Sequence, residues 1–300
     1  MKSIRILISG LLPHDSGKTT VAKEIARFLR EKGFDIGVSK PIAGHSLWYQ
    51  ADTFYYSIDE GILLGHDIVE LRRNAGSDDP YEIINPLDIA TMPYDVARDG
   101  RIDQMLLYKM LFSSSIESSI MIRISFCDNS SQRYPSKHYI VKDNYRLLSG
   151  ALKKEVDLLI ERLNSRPEEI SAADLEEILW EGVIHSDRCL EEIFRRHDIV
   201  VVESFNDSSA PNLHSLESDV ILITTPGRVL MYRGDEYRKV FNIHYPSEMY
   251  SKNKMISWPT TRDLIRFLKP LYSIELPHKM FEEEFEAAVK DLTDMILEIK

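Results

Sequence analysis

The sequence predicts an α/β protein: a doubly wound, mostly parallel sheet with an inserted α+β subdomain made of a hairpin plus helices. Three observations carry this. Ile4–Ser9 is an almost unbroken apolar run, followed by a glycine-bounded loop and an amphipathic helix. A second run, Ile199–Val202, lies far downstream, and between the two, residues 98–197 lose the parallel-sheet rhythm. Short apolar runs bounded by turns mark strands buried on both faces, and their alternation with helices marks a parallel sheet.

Taken in order, Ile4–Ser9 opens the sheet and residues 10–17 form a loop. Lys18–Lys32 reads as a helix with Val21, Ile25, Phe28 and Leu29 on one face, closed by Gly33. Ile36–Ser39 is a second strand, cut by Pro41. Ile120–Cys127 and His138–Lys142 read as a hairpin around the polar turn 128–136. Helices near 145–164, 171–181 and 186–196 follow, with Ser171 and Asp174 placed as a capping-box variant. Ile199–Val202, Val220–Thr224 and Leu271–Glu275 supply further strands. The closing helix carries Phe281, Phe285, Ala288, Leu292, Met295 and Ile299 on one face.

The chain has 300 residues, 43% apolar and 28% charged, enough to bury a large core without staples. Its net charge of −11 argues against broad binding to nucleic-acid phosphates. No window approaches ~18 uninterrupted apolar residues, so no membrane span is expected, and the apolar stretch at the N-terminus is too short for a signal segment. Cys127 and Cys189 make neither a disulfide framework nor a zinc spacing. They read as buried thiols in a reducing, cytoplasmic compartment.

The chemistry is concentrated in Gly10-Leu11-Leu12-Pro13-His14-Asp15-Ser16-Gly17-Lys18-Thr19-Thr20. The segment follows a strand and opens a helix, the context of a phosphate-binding P-loop. Gly17 lets the main chain approach phosphate, Lys18 would reach the β- and γ-phosphates, and the Thr19 hydroxyl would hold Mg²⁺. Six residues separate Gly10 from Gly17 where the regular pattern has four, and Leu12 stands where its first glycine would be. Val201-Val202-Glu203 delivers a carboxylate to the carboxyl edge of the sheet, where ligands bind in such folds, and Lys40 ends another strand at the same edge. The alternatives are a ligand-free turn, a strand-end acid and a solvated lysine. The fold expectation thereby narrows to one P-loop nucleotide-hydrolase-type domain over 1–300, with 98–197 as an insertion or lid.

These residues resemble dethiobiotin synthetase and its relatives in the group that includes cobyrinic acid a,c-diamide synthase. The likeness lies in Gly17-Lys18-Thr19-Thr20, in Gly37-Val38-Ser39-Lys40-Pro41-Ile42-Ala43-Gly44, in the stretch from Asp67 through Asn85-Pro86 to Met92-Pro93, and in Asp198–Glu203. It covers most of 1–97 and 198–300. The resemblance implies ATP and Mg²⁺ as cofactors, phosphates on Lys18 and Thr20 with Lys40 near the γ-phosphate, and Mg²⁺ on Thr19, Asp67 and Glu203. It also implies adenine reading by Asn242, in Asn242-Ile243-His244-Tyr245-Pro246, and a homodimer. For Asp67 the alternative is an ordinary acid at a helix start.

The departures fall on the substrate side. The loop carries Leu11, Leu12, Pro13 and His14, Gly44 replaces the family's serine, and Ser204-Phe205-Asn206-Asp207 replaces a glycine-rich turn. His14, Asp15, His45 and Asp207 could act near a phosphate or be plain loop residues. Trp48, Tyr49, Phe54, Tyr55 and Tyr56 could line a pocket or pack the insertion. Two functions follow. The first is an Mg-ATP-dependent ligase-type enzyme that phosphorylates a carboxylate or carbamate of a small molecule. The second is an ATP- or GTP-hydrolysing switch or assembly factor acting on a protein partner. Asn253-Lys254-Met255-Ile256 lacks the acid of a guanine-reading motif, which favours adenine.

Overall fold

The computed structural model describes residues 3–97, 100–112, 115–127, 134–245 and 259–299. Its strands are β1 (Ile4–Gly10), β2 (Ile36–Ser39), β3 (Ile42–Ser46), β4 (Leu87–Thr91), β5 (Ser119–Ser125), β6 (Ser136–Val141), β7 (Glu168–Ile170), β8 (Ile199–Glu203), β9 (Val220–Thr225), β10 (Arg228–Arg233) and β11 (Tyr272–Glu275). Its helices are α1 (Lys18–Glu31), α2 (Ala51–Glu60), α3 (His66–Ala75), α4 (Tyr81–Ile84), α5 (Gln104–Phe112), α6 (Lys142–Arg146), α7 (Gly150–Arg162), α8 (Leu175–Arg196), α9 (Gly234–His244), α10 (Thr261–Ile265) and α11 (Glu282–Glu298).

The strands form two sheets, both of α/β type. The first runs β11-β10-β9-β1-β8-β2, with β9, β1, β8 and β2 parallel and β10 and β11 added antiparallel. The parallel strands are buried on both faces, which is why they read as unbroken apolar runs. Tyr272–Glu275 differs: it is the exposed antiparallel edge, because β10, which the sequence reading passes over, intervenes between it and the parallel strands.

The second sheet runs β3-β4-β5-β6-β7. Its hairpin, β5 with β6, is the one the alternation predicts, while most of its polar turn, residues 128–133, lies outside the described residues. β3 and β4 come from before residue 98; β5, β6 and β7 come from 98–197. α8 packs against β2 and β8 on one side and β4 and β5 on the other. It is one 22-residue helix where two were expected, because Gly182 and Val183 stay helical, buried against β4 and its neighbours. Ser171 and Asp174 do form their capping box, on a short 3₁₀ turn ahead of α8.

Two further expectations are corrected. Cys127 and Cys189 are not free thiols: the end of β5 runs against α8, and a disulfide joins them across 62 positions. The buried face of the last helix is Phe285, Val289, Leu292 and Ile296; Phe281 precedes the helix and is exposed. No described helix is long and apolar enough to cross a membrane.

Candidate functional site

The parallel strands β1, β8 and β9 end together, and the chemistry-bearing residues follow from their register. Ile8 pairs with Glu203 and Gly10 with Thr224, so the loop after β1 starts beside the last residue of β8. Gly10 is needed at this corner, since a Cβ there would press on Ser16 Oγ and fall 2.9 Å from Lys18 Nζ. The loop closes at Gly17, whose φ of 86° is left-handed and which caps α1 without a side-chain hydrogen bond. The first amides of a helix have no intrahelical acceptor, and together with the helix dipole they favour an anion. Lys18 opens the helix, largely buried, with Nζ donating to Ser16 Oγ at 3.2 Å. Burial lowers its pKa, and Glu203 partly opposes that.

At the next residue, the Thr19 hydroxyl donates to Glu203 Oε1 at 2.6 Å. Lys40 Nζ donates to the same oxygen at 2.9 Å and also to Asp67 in the first turn of α3. Glu203 is fully buried, and its second oxygen, Oε2, has no hydrogen-bond partner among the described residues. Burial by itself would lower the Lys40 pKa, yet Asp67 and Glu203 raise it, so the ammonium stays charged. Asp67 is driven the other way: burial opposes its ionisation, and the neighbouring Lys40 holds its carboxyl below the usual range. Two carboxylates, a hydroxyl and two lysines thus meet at the mouth of an anion-favouring helix end.

This cluster opens into a cavity of about 650 Å³. Gly17, Lys18, Thr19, Thr20, Lys40, Asp67 and Glu203 all line it, as do His14, Asp15 and Phe205. Asp15 and Asn206, on its rim, both take left-handed φ, 55° and 45°. Strain of this kind concentrates at functional sites. Asn242 is not brought there. It sits on the solvent side of α9, whose buried face is Tyr237 and Phe241. Pro246 and Asn253–Ile256 lie outside the described residues. Trp48, Tyr49 and Tyr55 are exposed and also lie off the cavity, Trp48 bordering a smaller one with Pro93 and Tyr94.

The far wall, which sequence reasoning missed, is β3 with Ile89, Thr91 and Ile116. Behind it runs a buried polar network. Arg123, fully buried, donates to the carbonyl of Leu63 at 2.8 Å, to Ser125 Oγ at 2.6 Å, and to the carbonyl and Oδ1 of Asn85 at 2.6 and 2.9 Å. Asn85 Nδ2 in turn donates to the carbonyl of Lys40 at 2.9 Å. His138 Nε2 accepts the Leu63 amide at 3.2 Å; burial, reinforced by Arg123, drives the imidazole pKa down to about 3, so it stays neutral. Asp88 accepts the Gly65 amide at 2.9 Å. The second sheet therefore fixes the main chain under Lys40 and the loop leading to Asp67. A lone Arg in an apolar strand was the available signal.

The molecule is thus an α/β protein with a cationic and carboxylate cluster at the carboxyl edge of its parallel strands. The chain matches no family model, no curated protein and no solved structure.

Proposed function

We propose that the protein is an Mg²⁺-ATP-dependent enzyme that phosphorylates a carboxylate or carbamate of a small molecule, the activation step of a ligase. The observation that supports this is the meeting of Lys18, Thr19, Lys40, Asp67 and Glu203 at the N-terminus of α1, inside one cavity. In this reading residues 10–20 are a P-loop and the first sheet is the doubly wound core of a P-loop nucleotide-binding domain. Mg²⁺ fits the donor set: the ligands are hard oxygens, few carboxylates are needed when phosphates complete the shell, and Glu203 Oε2 is buried without a hydrogen-bond partner among the described residues. Thr19, Asp67 and Glu203 would hold it, and it would neutralise charge on the β- and γ-phosphates.

The chain's own groups do the rest by positioning and electrostatics. The first amides of α1 and Lys18 cradle the phosphates. The acceptor's carboxylate oxygen attacks the γ-phosphorus, the bond to the bridging oxygen breaks, and ADP leaves with the electron pair. The product is an acyl phosphate, open to attack by an amine. Lys18 and Lys40 balance the charge spread over the transferring group. Carboxylate-dependent ADP release, with the acyl phosphate trapped as a hydroxamate by hydroxylamine, tests the reading; diaminopelargonic acid with bicarbonate is the first acceptor to try. ADP release indifferent to carboxylates and raised by a protein partner would overturn it. That second reading, a partner-controlling hydrolase, draws on α5, where Met105, Tyr108, Leu111 and Phe112 are all exposed.

A further inference from the structure

Building on the phosphoryl-transfer reading, we propose that the free edge of β3 is the acceptor subsite and that it takes an extended acceptor carrying a secondary amide: a peptide, or a peptide-like carboxylate, paired main chain to main chain. Among the described residues β3 is an edge strand of the second sheet, paired with β4 alone. All of its residues, Ile42 through Ser46, line the cavity. The register puts Ile42, Gly44 and Ser46 on one face with Ile89 and Thr91, so the cavity covers that face; Ala43 and His45 line it as well, which brings the main chain of β3, and not side chains of that face alone, to the cavity.

The bonds flanking the β3–β4 pairing fix which groups that edge offers. Leu87 N–H donates to the Pro41 carbonyl at 3.2 Å and Leu47 N–H to the Thr91 carbonyl at 3.0 Å. Odd-numbered residues therefore turn their main-chain groups to β4, and Ile42, Gly44 and Ser46 turn theirs outward. Ser46 is satisfied locally: its N–H donates to Gln50 Oε1 at 3.2 Å, and its carbonyl accepts the Gln50 amide at 2.9 Å. No hydrogen bond among the described residues closes on the main chain of Ile42 or Gly44. Ile42 is only 3% exposed. Buried main-chain groups are nearly always paired, and an unpaired edge is a template for another strand.

The wall has the features of such a template. Gly44 is exposed, and a Cβ there would meet nothing within 4 Å, so the sheet face beside the outward main-chain groups is open. Donors and acceptors alternate along it, a pattern that an amide matches and a plain aliphatic acid does not. Ile89, Ile116 and Phe205 give an apolar wall for a side chain of the acceptor. Lys40 lies two residues before Ile42, so an acceptor lying along β3 can present its terminal carboxylate at the cationic end. The chemistry is that of the proposed reaction: the carboxylate oxygen of the peptide attacks the γ-phosphorus, ADP leaves with the electron pair, and a peptidyl acyl phosphate forms.

The test measures ADP release from Mg-ATP with three probes at equal concentration: a pool of N-acetyl dipeptides with free C-termini, the matching depsipeptides with an ester in place of the amide, and hexanoate. The dipeptides should stimulate most, and the depsipeptides should show an apparent affinity roughly two- to tenfold lower, the value of a lost hydrogen bond. Gly44→Pro removes an outward-facing donor at an edge position, where proline is tolerated. It should raise the KM for the dipeptides by a similar factor while Mg-ATP still raises the Tm. Independently of activity, dipeptide binding should slow hydrogen exchange at the Ile42 and Gly44 amides of the unaltered protein, a measurement that decides the matter if the proline variant does not fold. Hexanoate working as well as the dipeptides, or unprotected amides in protein that binds Mg-ATP, would overturn the assignment alone. Failure of the unaltered protein to bind Mg-ATP would overturn the phosphoryl-transfer reading as well.

Discussion

Replacing Lys40 by methionine keeps the volume of the side chain and removes its charge from two carboxylates. Its ammonium lies 2.9 Å from Glu203 Oε1 and also pairs with Asp67; the side chains of Lys40 and Glu203 are 6% and 0% exposed. Removing one partner of a buried pair costs about 3–5 kcal/mol. Proton uptake caps that cost, because protonating an ordinary glutamate at pH 7 takes 2.7 pH units, or about 3.7 kcal/mol. The variant should therefore lose about 3–4 kcal/mol at pH 7, a fall in Tm of about 6–12 °C. The cap is only about 1 kcal/mol at pH 5, so the deficit should nearly close there. The sign is fixed by linkage: without Lys40 the folded state binds the extra proton, so its stability falls as pH rises. Thermal melts of both proteins at pH 5 and pH 7, with EDTA and with Mg²⁺, read this out, and Mg²⁺ should stabilise the variant more than the unaltered protein. A variant within 1 kcal/mol of the unaltered protein at pH 7, or one with equal deficits at both pH values, would show that Lys40 does not neutralise the buried carboxylates in this way.

Gly10→Ala sets a methyl group against Ser16 and Lys18 Nζ, and should weaken binding of a fluorescent ATP analogue about tenfold while costing about 1–3 kcal/mol of stability in urea titration. Arg123→Met leaves the carbonyls of Leu63 and Asn85 without their donor and should cost about 3 kcal/mol or more in urea. Because Asn85 holds the Lys40 carbonyl, the same variant should lower kcat more than it changes the KM for ATP. His197 bonds Asp79 through Nε2 at 2.7 Å and Asp35 through Nδ1 at 2.9 Å; the Asp79 hydrogen bond chiefly raises its pKa, burial partly opposes that, and Asp79 is held below its ordinary value. The histidine's contribution is full below pH ~6.5 and is lost as pH rises through its raised folded value; the aspartate's is present above ~3.9 and lost as pH falls through its depressed one. His197→Gln should therefore destabilise most between pH ~4 and ~6.5, and a deficit in melts that grows toward pH 8 would contradict this.

The parts legible in the sequence are those whose signal is local. The β1 run, Gly17-Lys18-Thr19, and the apolar β8 that ends in Glu203 each announce themselves within about ten residues, because parallel strands buried on both faces have no polar positions to break the run. Lys40 could be read for the same reason, from the strand before it. The second sheet was half hidden. β3 is Ile-Ala-Gly-His-Ser and β4 is Leu-Asp-Ile-Ala-Thr, neither of which reads as a strand, because polar residues are buried where an apolar run is expected: His45 lies beside Asp88, and Asp88 accepts the Gly65 amide. The disulfide was illegible because Cys127 and Cys189 meet only after α8 crosses both sheets. Asn242 is the opposite case: the local spacing matches, while the helix phase turns the side chain to solvent, off the cavity.

A nucleotide at the N-terminus of α1 underlies every proposed step, and the decisive experiment is calorimetric titration of Mg-ATP into the unaltered protein and into Lys18→Ala. A saturable binding isotherm is expected, together with a stabilisation of about 2.7 kcal/mol at a hundred times Kd, both lost in Lys18→Ala while that variant remains folded. No binding to the unaltered protein, or equal binding by the two, would contradict it.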